Sequence, residues 1–209
     1  MGSTRPISSK GASVTNPSPL QPGVFYHIYN RGTNRENIFV EERNYLYFLR
    51  LYAKYIEPVA ETYAYCLLRN HFHLLVRVRE LVDPKGLQRP LASIAFSNFL
   101  NAYAKAINKA YGRTGSLFQH PFGRIPVLKP PHLAQVVRYI HFNPQKHGLV
   151  SDFREWLYSS YHVHLSAQAT HLSRDAVLDW FGGVKGFVAA HEMPLDAKAL
   201  APLTPEDFD

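Results

Sequence analysis

The chain has 209 residues, enough for one domain with a sizeable core plus tails, and its 46% hydrophobic and 13% aromatic content is that of a globular protein. No apolar run approaches the roughly 18 residues that cross a bilayer, so a membrane-spanning protein is excluded and a soluble one expected. Lys and Arg number 23 against 16 Asp and Glu, a formal charge of +7 with a pI near 9.5, which is the electrostatic footprint of a nucleic-acid binder.

Residues 1–22 are rich in Ser, Pro and Gly and poor in apolar side chains, so they predict a disordered tail. They carry no charged segment followed by an apolar core, and Pro6 stands where a myristoylation signal needs Ser or Thr. Order is expected from Val24-Phe25-Tyr26-His27-Ile28-Tyr29-Asn30, a β-rich run closed by Arg31-Gly32-Thr33-Asn34. From Glu41 to Tyr55, Tyr45, Phe48, Leu49 and Tyr52 recur at three- and four-residue steps and predict an amphipathic helix. Two strands follow, Glu61 to Leu68 and His71 to Arg79, joined at Arg69-Asn70 by a two-residue hairpin turn. The lone Cys66 precludes an internal disulfide, suits a reducing cytoplasm and reads as a small core residue.

A second helix is predicted from about Leu91 to Tyr111, with Phe96, Leu100, Tyr103, Ile107 and Tyr111 as its apolar stripe and Gly112 and Gly115 as its stop. Arg124 to Leu128 suits an edge strand, where Pro126 is tolerated. Pro130-Pro131 opens a helix from His132 to about Phe142, with its end expected at Asn143-Pro144. Two more helices, Arg174 to Trp180 and Val184 to His191, are separated by Gly182-Gly183, and Glu206, Asp207 and Asp209 make the end acidic. The order of elements resembles a split βαβ arrangement, an α+β sheet with helices packed on one side.

The most informative local feature is His71-Phe72-His73. On a strand, residues i and i+2 project from one face roughly 6.6 Å apart, so both imidazoles can converge on one ion while Phe72 points into the core. Such pairs also occur solvated or hydrogen-bonded without metal, but a pair held on a central strand is rigid enough to coordinate. His162-Val163-His164 repeats the spacing with no continuing strand pattern around it. Further on, Tyr139 and Asn143 stand four apart on the helix that Pro130-Pro131 opens and therefore share a face. Facing the hairpin, they would bring a phenol and an amide oxygen to the metal, which is what a phosphodiester-cleaving tyrosine needs, because a phenol with a pKa of about 10 is a poor nucleophile until a cation favours its ionised form.

Four motifs in order, Tyr26-His27-Ile28-Tyr29-Asn30-Arg31-Gly32, then Tyr65 to Val76 around the histidine pair, then Gly115-Ser116-Leu117-Phe118-Gln119, then Arg138-Tyr139-Ile140-His141-Phe142-Asn143-Pro144 with Gly148-Leu149-Val150, resemble the single-tyrosine HUH transposases. Within that family they are similar above all to the REP-associated tyrosine transposases and related insertion-sequence proteins, over roughly Phe25 to Tyr161. The resemblance implies a ferredoxin-like catalytic domain over residues 23–165 with a helical C-terminal extension over 166–209. It implies cleavage and transfer of single-stranded DNA, often beside a hairpin, through a 5′-phosphotyrosine intermediate that leaves a free 3′-OH. His71 and His73 would be ligands of Mg²⁺ or Mn²⁺, with Asn143 as the polar third ligand, and two imidazoles would equally admit zinc. In part of the branch the tyrosine follows the Phe-Gln motif, where this chain has Phe122, so Tyr139 is the expected nucleophile and Tyr103 the second choice. Arg31, Arg35, Lys105, Lys109, Arg113 and Arg124 are the expected DNA contacts, in a cytoplasmic, nucleoid-associated protein for which a homodimer is allowed. Two alternatives stand beside this reading: a domesticated hairpin-binding protein that has lost cleavage, and a metal-dependent hydrolase acting through activated water, which would need a carboxylate near the pair.

Overall fold

The computed structural model describes residues 18–80 and 91–205. In chain order its regular elements are β1 (Phe25–Arg31), α1 (Glu42–Tyr55), β2 (Ala60–Leu67), β3 (His71–Val78), α2 (Leu91–Ala110), β4 (Gly123–Pro126), α3 (Pro130–Lys146), α4 (Tyr161–Leu165), α5 (Arg174–Trp180), α6 (Val184–Glu192) and α7 (Ala197–Leu200), with short 3-10 turns between them. The four strands form one antiparallel sheet in the order β2-β3-β1-β4. β1 and β2 thus flank β3, the split βαβ arrangement that the order of elements predicts. The hairpin turn also forms as read: Leu68 N–H donates to His71 O across Arg69-Asn70. The turn is pinned from outside, since Arg69 O accepts from the amides of Ile38 and Phe39, and Asn70 O accepts from Gly32 N–H.

Helices cover both faces of the sheet, not one side as expected. On the first face Phe48 of α1 and Phe96, Phe99 and Tyr103 of α2 pack on Ile28, Phe72, Leu74 and Val76. On the second, Val136, Val137 and Ile140 of α3, with Val177, Phe187 and Leu200 from the C-terminal helices, pack on Ala64, Cys66, Leu68 and Leu75. The strand composition carries the reason. Seven of the eight residues of β3 are buried, and a strand buried on both faces must be covered from both sides. The extension predicted over 166–209 carries α5, α6, α7 and a 3-10 turn among its described residues, and it shares this second core rather than standing apart.

Two further expectations change. The tail predicted over residues 1–22 falls outside the described residues up to position 17, but by Leu20 the chain is packed, with its N–H donating to Ser93 Oγ at 2.9 Å. The acidic cluster Glu206, Asp207 and Asp209 also lies outside the described residues. Helix α3 does not stop at Asn143-Pro144 but continues to Lys146. Pro144 removes one backbone donor, yet it is buried near the helix end, and the end itself is well closed. Gly148, at φ +64°, donates to Gln145 O while Leu149 N–H donates to Pro144 O, the paired bonds of a Schellman motif.

Candidate active site

The register of the central strands determines which side chains meet. His71 pairs with Arg31, His73 with Tyr29, and Leu75 with His27, so His71, His73, His27, Tyr29 and Arg31 all project from the face that α3 covers. Phe72, between the two histidines, points the other way into the α1/α2 core. A Cβ on Gly123 of β4 would come within 2.1 Å of the Tyr29 ring, so only glycine lets that ring lie across the strand beside the site.

From above, α3 lowers Tyr139 and Asn143 onto this face. The Tyr139 ring meets His73 and His27 edge-on at 5.6 and 5.7 Å between centroids, and the two imidazoles of His71 and His73 lie 5.2 Å apart, nearly perpendicular. Lys146 Nζ sits 5.4 Å from the centre of the Tyr139 ring, and the His147 ring packs 4.6 Å from that of His71. The structure therefore brings together the four residues expected from the sequence to form the site. It adds His27, Tyr29, Lys146 and His147. The first two were legible as alternating partners of Arg31 on one strand, whereas the last two were hidden by the expectation that Pro144 ends the helix.

The electrostatics suit ligands rather than cations. Burial pushes the His71 pKa down to about 3, with His147, Arg31 and Lys146 adding to the effect, and burial drives that of His73 well below its ordinary value. Both imidazoles are neutral at pH 7. His71 Nδ1 lies 2.6 Å from Asn70 Oδ1 and His73 Nδ1 lies 2.9 Å from His27 Nε2, so each ring is held through its δ nitrogen. Asn143 donates from Nδ2 to Tyr139 O at 2.8 Å, and its Oδ1 is buried with no hydrogen-bond partner. Asn143 stands one turn from Tyr139 and one turn from His147, whose rings meet His73 and His71, so its orphaned amide oxygen and the two neutral imidazoles fit a divalent cation, and completion of the set by phosphate oxygens suits Mg²⁺ or Mn²⁺. Among the described residues no three His, Cys, Asp or Glu side chains are grouped so as to hold a metal by themselves, and the buried Asn143 Oδ1 is the oxygen donor on hand beside the pair.

The remaining expected residues fall elsewhere. Phe122 packs against Phe96 on the α1/α2 side of the sheet under the Arg124 guanidinium, across the sheet from His71 and His73. Tyr103 is fully buried on that same side and donates to Ile38 O at 2.8 Å, a structural role. His162 and His164 lie on α4, where residues two apart diverge; His164 is buried and His162 exposed. Arg31 is buried in the site itself, opposite His71, while Arg35 is exposed just beyond β1. Lys105 and Lys109 are exposed on α2, across the sheet from the histidine pair. Arg113 is bonded to Glu36, and Arg124 reaches Ser18 O and Ser93 Oγ as well as the Phe122 ring. No helix among the described residues is long and apolar enough to cross a membrane.

No family model matches the chain. Over 111 residues it is 32% identical to a Haemophilus influenzae protein that bears the name REP-associated tyrosine transposase; the match takes in 52% of this chain and 62% of that protein, so it spans less than two thirds of the relative's length. Among solved structures the chain is similar to a REP-associated tyrosine transposase bound to a REP hairpin, with a TM-score of 0.54 and 19% identity over 74% of this chain and 86% of the other. At that identity the structural likeness is one of fold. The sequence match is to a protein bearing the name of the group whose motifs the chain resembles, and the structural match shares its fold.

Proposed function

We propose, taking the similarity to REP-associated tyrosine transposases as the premise, that this chain is a metal-dependent nuclease and strand transferase acting on single-stranded DNA beside a hairpin. The observation that carries the reading is the meeting of Tyr139 and Asn143 with His71 and His73 on one buried sheet face, with Asn143 Oδ1 left without a hydrogen-bond partner. His71, His73 and Asn143 would hold the cation, which would polarise the scissile phosphate as a Lewis acid when bound. Tyr139 is the nucleophile: its phenolic oxygen bonds the phosphorus, the bond from phosphorus to the 3′ oxygen breaks, and the proton lost by the phenol ends on that oxygen, giving a 5′-phosphotyrosine and a free 3′-OH. Lys146 sets a positive charge over the Tyr139 ring, 5.4 Å from its centre, where it would meet the negative charge of the incoming phosphate. Arg31, buried opposite His71, and Arg35, exposed just beyond β1, would meet the phosphates of the incoming strand. Lys105 and Lys109 would hold the hairpin arm from the other side of the sheet through salt-sensitive phosphate contacts. Phe122, the ring without a hydroxyl that would favour a protein that has lost cleavage, lies on the opposite face of the sheet from His71 and so does not argue for that alternative.

Incubation with labelled single-stranded hairpin DNA and Mn²⁺ should yield a denaturation-resistant protein–DNA adduct. Tyr139→Phe removes one oxygen and keeps the ring packed, so it should abolish the adduct while retaining DNA binding. An undiminished adduct in that variant would reject Tyr139, and no adduct with the unaltered protein would favour a binding role alone.

A further inference from the structure

His27 is as buried as any residue in the chain, and its two ring nitrogens are both engaged: Nδ1 lies 2.7 Å from Leu203 O and Nε2 lies 2.9 Å from His73 Nδ1. A carbonyl oxygen only accepts, so the Leu203 contact requires the proton of His27 on Nδ1. Taken fully out of water, the ring is neutral, because burying an imidazolium without a counter-charge is costly. Its Nε2 is then a bare acceptor, and the 2.9 Å contact requires that His73 donate from Nδ1. A neutral His73 that carries its proton on Nδ1 presents a lone pair on Nε2. Free histidine in water prefers the opposite placement, with the proton on Nε2.

We infer that His27 is a positioning residue of the metal centre: anchored by the Leu203 carbonyl, it holds His73 in the tautomer whose Nε2 can bind a cation, a role that presupposes the reading of His73 as a ligand. The two ligands are secured differently. His71 is oriented by its own neighbour Asn70 on the hairpin turn, whereas the chain of contacts from His73 ends 130 positions downstream in the 3-10 turn Ala201–Leu203, at the far end of the C-terminal extension. Leu203 is itself buried in the core that contains Tyr139. The last described turn of the extension is therefore the outer support of the metal centre, and its docking and the affinity for metal are linked. Metal-bound histidines commonly give their second N–H to a carbonyl or carboxylate. Here a second imidazole is interposed as a relay.

The full-length protein labelled with ¹⁵N in its imidazoles tests this without reference to activity. At pH 7.5 and free of metal, long-range ¹H–¹⁵N spectra should show His73 protonated on Nδ1 and bare on Nε2. His27→Phe, which keeps a ring of similar size but no acceptor, should shift His73 toward the Nε2–H form and weaken Mn²⁺ binding by about 10- to 100-fold in calorimetry. His27→Gln places an amide oxygen within reach of His73 Nδ1 and should restore most of the tautomer and the affinity. The proposal is overturned if His73 in the unaltered protein carries its proton on Nε2, if His27→Phe leaves the tautomer unchanged, or if His27→Gln loses Mn²⁺ as completely as His73→Ala does, which would make His27 a ligand. Should His27→Phe fail to fold, the unaltered protein and His27→Gln still decide the matter. Failure of the metal reading is distinguishable: the unaltered protein would show the stated tautomer yet bind no Mn²⁺, and that result would also remove the role given to His27.

Discussion

Asn143→Leu should stabilise the metal-free protein and abolish its response to metal. In the fold Asn143 is fully buried, makes one hydrogen bond from Nδ2 to a helix carbonyl, and leaves Oδ1 with none. A buried acceptor without a partner costs about 1–3 kcal/mol, and a neutral hydrogen bond contributes about 1. Leu has the same branched skeleton and no polar atom, so the substitution relieves the first term, forfeits the second, and gains on balance about 1 kcal/mol. For a chain of this size that corresponds to a rise of roughly 2–4 °C in Tm. Saturating metal reverses the order, because a ligand at about 100 times its Kd adds about 2.7 kcal/mol to the protein that binds it and nothing to one that does not. Thermal unfolding in EDTA and in excess Mn²⁺ measures both terms in one experiment. The reasoning is refuted if Asn143→Leu is the less stable protein in EDTA and still gains the full increment from Mn²⁺, since Asn143 would then be a helix residue with no part in the site.

Phe72→Ala removes a fully buried ring that packs 5.2 Å from Phe48 on the side of the sheet away from the site, and should cost about 3–5 kcal/mol. Its Tm should fall by roughly 10 °C while the shift on adding Mn²⁺ is kept; loss of the metal response with little change in Tm would invert the assignment of faces on β3. Acid should loosen the second core through its buried histidines. His191 donates to Phe187 O, contacts His141, and has its pKa pushed down to about 4 by burial, with Arg138 adding to the effect. A lowered folded-state value means stability is complete above the unfolded value near 6.5 and is lost as pH falls toward 4, by about 3 kcal/mol for this residue alone. Urea midpoints from pH 7 to 4.5 should therefore fall less steeply in His191→Gln than in the unaltered protein, and an identical slope would exclude this cause.

Local chemistry alone determined much of the site. The period of two on β3 puts His71 and His73 on one face and Phe72 on the other, and the four-residue spacing of Tyr139 and Asn143 puts them on one side of a helix. These relations hold whatever the rest of the chain does, because they follow from backbone geometry over a few residues. The tertiary structure decided what each face meets. Only packing summed over the whole second core places α3 above the histidine pair and sends Phe122 to the opposite side. It also carries α3 past Pro144, bringing Lys146 and His147 into the site. The same holds for His27 and Leu203, 176 positions apart in the chain and 2.7 Å apart in the fold. No periodicity registers such a contact, since it exists only once the C-terminal helices have buried their apolar faces against the sheet.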